Sequence, residues 1–95
     1  MIERHIPFTV EEGSGEAFER FFAERYRPAA TRMPGLLAVG LLRLAGDPTS
    51  YEMTFRWDDA ESATAWRTAP AHEALQGELK ALSAMGGILV YDVIE

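Results

Sequence analysis

Two stretches of the chain, Leu36–Leu44 (LLAVGLLRL) and Ile88–Ile94 (ILVYDVI), are apolar on both alternating faces, and they constrain the fold more than any other feature. A strand of that kind needs cover on both sides. In a chain of 95 residues, helices can cover one face of a single sheet, so a second body has to cover the other. Leaving several Leu, Val and Ile in water forgoes several kcal/mol at about 25 cal/mol per Å2, and an apolar patch that large marks an interface. The sequence therefore predicts a homodimer that packs sheet against sheet.

The remaining segments supply the partners of these strands. Ile2–Val10 alternates, with Ile2, Arg4, Ile6, Phe8 and Val10 on one side and Glu3, His5, Pro7 and Thr9 on the other, which is a strand period. Pro7 has no amide to donate, so the strand is expected at an edge or with a free flank at that point. Glu16 to about Arg32 carries Phe18, Phe21 and Phe22 at helical spacing, and Pro28 predicts a kink or an early end near Arg27. Ser50–Trp57 alternates strictly and forms a hairpin with Leu36–Leu44 across the turn Ala45–Thr49. Asp59 is a plausible cap for a helix to Thr68, Pro70 opens a second helix to Ser83, and Gly86-Gly87 closes it before the last strand. The order βαββαβ over residues 1–95, read as one domain, predicts an α+β fold: a ferredoxin-like antiparallel sheet with helices on one face.

Charge and composition narrow the partners. With 15 acidic against 9 basic residues the net charge is −6, and there is no basic run, so nucleic acid and anionic membrane are poor partners. A small molecule fits better. No segment reaches the roughly 20 apolar residues that span a bilayer, and the start lacks the features of a secretion signal. With no cysteine there is no disulfide framework and no thiolate nucleophile, which suits a reducing cytoplasm. Two histidines far apart and scattered carboxylates make a metal site improbable on donor count, and Gly13-Ser14-Gly15 lacks the rest of a phosphate loop.

Phe18-Glu19 with Phe22, Met33-Pro34-Gly35, Leu41-Leu42-Arg43, Phe55-Arg56-Trp57, Ala65-Trp66-Arg67-Thr68-Ala69-Pro70-Ala71-His72 and Tyr91-Asp92-Val93-Ile94 together resemble the antibiotic biosynthesis monooxygenase (ABM) domain over nearly the whole chain. The most specific piece is Trp57 followed nine positions on by Trp66 and six further by His72. The resemblance implies a dimeric α+β barrel, in agreement with the two-faced strands. It also implies one of several activities: oxidation of a phenolic or quinol-like substrate with O2 and no cofactor, haem degradation, or binding of a small molecule without turnover.

Candidate site residues follow from both readings. The resemblance places Trp66 at the border of the substrate cavity, although it serves equally as a core anchor. His72 shares the inward stripe of Leu75 and Leu79, where a neutral imidazole can take a phenolic proton or simply bond a nearby carbonyl or carboxylate. Gln76 lies one turn further on the same face. Arg4 shares the apolar side of the first strand, so its guanidinium must reach a carboxylate, a ligand anion or the solvent edge. Phe22 and Tyr51 are further candidate substrate contacts that suit the core as well. In the haem-degrading branch, the positions matching Gln76 and Arg4 carry the iron-ligand histidine and an asparagine. Both differ here, which disfavours haem. The leading expectation is a cofactor-independent monooxygenase, with a non-catalytic dimeric binding protein and a docking partner of a larger enzyme as alternatives.

Overall fold

The structure, a computed structural model, describes every residue from Met1 to Glu95. Alternation over Ile2–Val10 produces strand β1, with Arg4, Ile6, Phe8 and Val10 buried on one side. β1 pairs antiparallel with β3 (Ser50–Trp57) along its length, from Ile2 opposite Trp57 to Thr9 opposite Ser50. β2 (Leu36–Arg43) pairs antiparallel with the other edge of β3, its register slipping between Leu36 and Ala38. The far side of β1 is paired by two short strands, β4 (Ser83–Met85) against Phe8–Val10 and β5 (Leu89–Asp92) against Ile2–His5. The result is a five-stranded antiparallel sheet.

β1 is thus central, and the expected edge position is corrected. The expected free flank is present, because Pro7 falls in the gap between the stretches paired by β4 and β5. Its carbonyl accepts the Gly86 N–H at 2.8 Å, so the side of Pro7 that lacks an amide faces that gap. The single last strand expected over Ile88–Ile94 is accordingly two pieces. The helix before it stops at Leu82, and Gly86-Gly87 bridges β4 and β5 instead of ending the helix.

Helix α1 (Gly15–Phe21) runs on through a wide π turn, Phe22–Tyr26, into α2 (Arg27–Ala30). The early end expected at Arg27 does not occur. The Arg27 N–H reaches back to the Phe22 carbonyl, and the widened turn makes room for the ring of Pro28, which has no amide of its own. α3 (Ala60–Thr68) is capped by Asp59, whose side chain accepts the Ser62 N–H at 2.8 Å. α4 (Pro70–Leu82) begins on its proline.

The helices cover one face of the sheet. Phe18, Phe21, Phe22, Tyr26, Ala63, Trp66, Leu75 and Leu79 bury against Ile6, Phe8, Val10, Tyr51, Met53, Phe55 and Trp57 in one cluster. β2 and β5 were expected to be buried on both faces, and within one chain they are not. Leu37 and Leu42 are about half exposed, and all four residues of β5 are exposed. The open face is also more polar at its centre than the apolar runs imply. Glu3 receives two bonds from Arg56, at 2.9 and 2.7 Å, and lies 2.7 Å from His5 Nε2. The hydrogen bonds from His5 and Arg56 hold the Glu3 carboxyl below the usual carboxylate range. Apolar residues therefore flank an ionic centre on this face. No helix is long and apolar enough to cross a membrane.

Candidate active site

Between the covered sheet face and the helices lies a cavity of about 180 Å3, lined by 13 residues of which 9 are hydrophobic. β1 contributes Arg4, Ile6 and Phe8, and β3 contributes Phe55 and Trp57. Tyr26, Trp66, Arg67, His72, Gln76 and Leu79 come from the helical layer, and the exposed Met85 and Ile88 line the rim.

The junction of α3 and α4 organises the chemistry. The two helices meet at Ala69-Pro70, which puts Trp66 in the last turn of α3 and His72 in the first turn of α4. Their rings stand edge to face, with centroids 4.9 Å apart. Tyr26, from the wide turn, packs edge-on against both, and its hydroxyl accepts the Trp66 indole N–H at 3.4 Å. Placing Tyr26 there is a consequence of the π turn, which rotates the chain after Phe22 relative to a regular helix. Burial raises the Tyr26 phenol above its usual range, so it remains a neutral hydroxyl.

His72 is half-buried, and Gln76 Nε2 lies 3.3 Å from His72 Nε2 and 3.2 Å from the His72 carbonyl. An amide N–H donates, so His72 Nε2 is the acceptor and the ring hydrogen sits on Nδ1. Burial, then the positive charges of Arg4 and Arg67, push the His72 pKa below its ordinary value, with Glu73 opposing. The imidazole is neutral at pH 7 and presents a lone pair.

Two donors at the cavity have no protein acceptor. Arg4 is only 6% exposed, yet none of the five ion pairs of the molecule includes it. Burial and the Arg67 charge lower its pKa, while the guanidinium stays charged. Trp57 is fully buried and its Nε1–H has no partner. A fully buried donor without a partner, such as the Trp57 indole N–H, is rare in folded proteins, and it shares the cavity wall with the Arg4 guanidinium.

The structure brings together four of the residues singled out from sequence: Arg4, Trp66, His72 and Gln76. Phe22 and Tyr51 lie outside the lining, which corrects their expected place there. Phe22 is core, stacked on Tyr26 with the Arg27 guanidinium over its ring, and Tyr51 is buried further along β3, its hydroxyl donating to Glu19 at 2.5 Å. Sequence reasoning missed Arg67 and the free indole N–H of Trp57. A signal for Arg67 existed, since it stands four residues after the buried Ala63 and so borders the inward stripe of α3.

Residues 1–78 match the antibiotic biosynthesis monooxygenase family, and the chain belongs to it. Among solved structures the fold is similar to that of SnoaB, a cofactor-independent oxygenase from Streptomyces nogalater. That pair shares 26% identity with a TM-score of 0.88, over 99% of this chain and 93% of that one. HapK from Hahella chejuensis superposes with a TM-score of 0.88 over 99% of this chain and 93% of its own, at 12% identity, a likeness of fold alone. No curated protein matches the chain by sequence.

Proposed function

We propose that the protein is a cofactor-independent monooxygenase acting on a small phenolic or quinol-like aromatic substrate. The observation that carries this reading is a neutral histidine and an unpaired guanidinium in the wall of one aromatic cavity. A base that is unprotonated at pH 7 can take a phenolic proton, and a buried cation can hold the phenolate that results. The family and the SnoaB likeness support the same chemistry.

The substrate hydroxyl would replace the Gln76 amide at His72 Nε2 and give up its proton there. The Gln76 N–H and the Arg4 guanidinium would then donate to the phenolate oxygen. The anion passes electrons to O2 and is oxygenated at a ring carbon. One oxygen atom is retained on a ring carbon of the quinone product and the other leaves as water, so the substrate supplies all four electrons. Trp66, Tyr26 and Phe55 would keep water from the reacting ring. Gln76 and Arg4, at the positions the haem-degrading branch uses otherwise, offer no imidazole ligand there.

The functional unit in this reading is a homodimer that covers the open sheet face. The exposed Leu37, Leu42, Leu89 and Tyr91 support it, with the Glu3–Arg56–His5 network at the centre of the contact. An oxygen electrode with 2,5-dihydroxybenzoate as probe tests the reaction. Wild type should consume O2 above the autoxidation rate and folded His72→Ala should not. Wild type that binds the probe without consuming O2 would leave a binding protein with no turnover.

A further inference from the structure

We propose that the cavity takes an aromatic carboxylate, its carboxylate held between the guanidinium groups of Arg4 and Arg67. This names the substrate class more narrowly and rests on the phenolic reading of the same cavity. Arg4 is buried on β1 opposite Phe55 and Val90, while Arg67 comes from the last turn of α3, and both line the cavity. The same two arginines also line a second hollow of about 160 Å3 beside it, so the pair stands where two spaces adjoin.

No side chain of the chain neutralises them. Of 15 acidic residues none forms an ion pair with Arg4 or Arg67. A buried guanidinium without a counter-ion is costly, and a second cation close enough to depress its pKa adds repulsion. Folding tolerates that arrangement when the missing anion arrives with the ligand. Two planar forks suit one planar carboxylate, and Arg4, with five N–H donors, can meet a carboxylate oxygen and a phenolate oxygen ortho to it together.

The rest of the lining fixes the body to which the carboxylate is attached. Trp57, Trp66, Phe55 and Tyr26 are aromatic walls, and the cavity of about 180 Å3 compares with the roughly 150 Å3 of an apolar cavity that holds benzene. One ring with a few substituents fits. Charge then divides between binding and reaction. The carboxylate offsets one of the two guanidinium charges; proton transfer to His72 leaves the net charge of the site unchanged, but it places the new phenolate oxygen in the field of the remaining guanidinium and of the imidazolium. The site is therefore matched to the deprotonated substrate better than to the neutral phenol, which is differential stabilisation of the reacting state.

Calorimetry under nitrogen tests this, with 2,5-dihydroxybenzoate, its carboxamide and acetate titrated into wild type and Arg67→Met. Arg67 is exposed, so that variant keeps the core intact. The acid should bind at least about tenfold tighter than the amide, the range of a charge-assisted hydrogen bond, and acetate should not bind. Arg67→Met should weaken the acid about tenfold and leave the amide unchanged. Equal binding of acid and amide, equal weakening of both, or acetate binding as tightly as the acid would each overturn the proposal. Because no O2 is present, binding of the acid without later oxygenation would keep this inference and defeat the oxygenase reading. Oxygenation of neutral phenols with no preference for the acid would do the reverse.

Discussion

Replacing Arg4 by methionine should stabilise the folded protein while abolishing its capacity to hold an anion. Arg4 is 6% exposed, makes no ion pair or side-chain hydrogen bond, and feels the positive charge of Arg67. Folding therefore partly desolvates a cation with no ion pair to offset it. Methionine keeps an unbranched stem of similar reach among Ile6, Phe55 and Trp57 and removes the charge. Relief of an uncompensated buried polar group amounts to about 1–3 kcal/mol. For a domain of this length each kcal/mol moves Tm by about 4–8 °C, so a rise of at least about 4 °C is expected. Thermal unfolding followed by circular dichroism, at one fixed protein concentration, reads it. Saturating 2,5-dihydroxybenzoate at a hundred times Kd should then stabilise wild type by about 2.7 kcal/mol and leave Arg4→Met unmoved. A variant that melts several degrees below wild type without ligand would refute the reasoning, because it would mean that Arg4 has a partner in the folded state.

Four further outcomes follow from particular contacts. His72 titrates below its ordinary 6.5, so its contribution to stability is present above that pH and is lost as pH falls through the folded value. Urea unfolding at a series of pH values should show that acid-side loss diminished in His72→Asn, and oxygen uptake should fall over the same acid range. Tyr26→Phe strands the Trp66 indole N–H, now 3.4 Å from the Tyr26 hydroxyl, and should cost about 1 kcal/mol by denaturant unfolding. Gly35 sits at φ +87°, and a Cβ there would meet Asp58 and Ser62, so Gly35→Ala should cost about 2 kcal/mol or more in the same assay. Sedimentation velocity should give a dimer mass for wild type and a monomer mass for Leu42→Glu, and a wild-type monomer at all concentrations would remove the sheet-to-sheet contact.

Much of the fold was legible because each element carries its own local instruction. Alternation wrote β1 and β3, and Asp59 and Pro70 marked the helix starts. The break in the last strand was hidden, since its cause is the partner strand. Pro7 leaves a stretch of β1 without a donor, and Gly86, whose added Cβ would come within 3.0 Å of Pro7 Cγ, crosses that stretch close to the proline ring. A constraint between residues so far apart in sequence has no local signature.

The candidate site was legible in the same measure. Arg4, His72 and Gln76 break the apolar pattern on inward faces, and Trp66 stood out through the family resemblance. Phe22 and Tyr51 share those faces too, yet periodicity reports which way a side chain points and says nothing of how far along the sheet the cavity extends. Phe22 opens the widened turn and packs into the core, whereas Tyr26 closes it and reaches Trp66. Arg67 was passed over because a charge at the margin of an amphipathic helix reads as solvent-facing. Its importance depends on Arg4 lacking a carboxylate, which only the assembled packing reveals.

Mass spectrometry of the product formed from 2,5-dihydroxybenzoate under 18O2, with protein stripped of metals and flavins by chelation and gel filtration, tests the central claim most directly. The account predicts a hydroxylated quinone carrying one 18O atom, with one O2 consumed per product and one atom released as water, at a rate that folded His72→Ala loses. Unlabelled quinone with hydrogen peroxide, label formed equally without protein, or activity restored only by an added cofactor would contradict it.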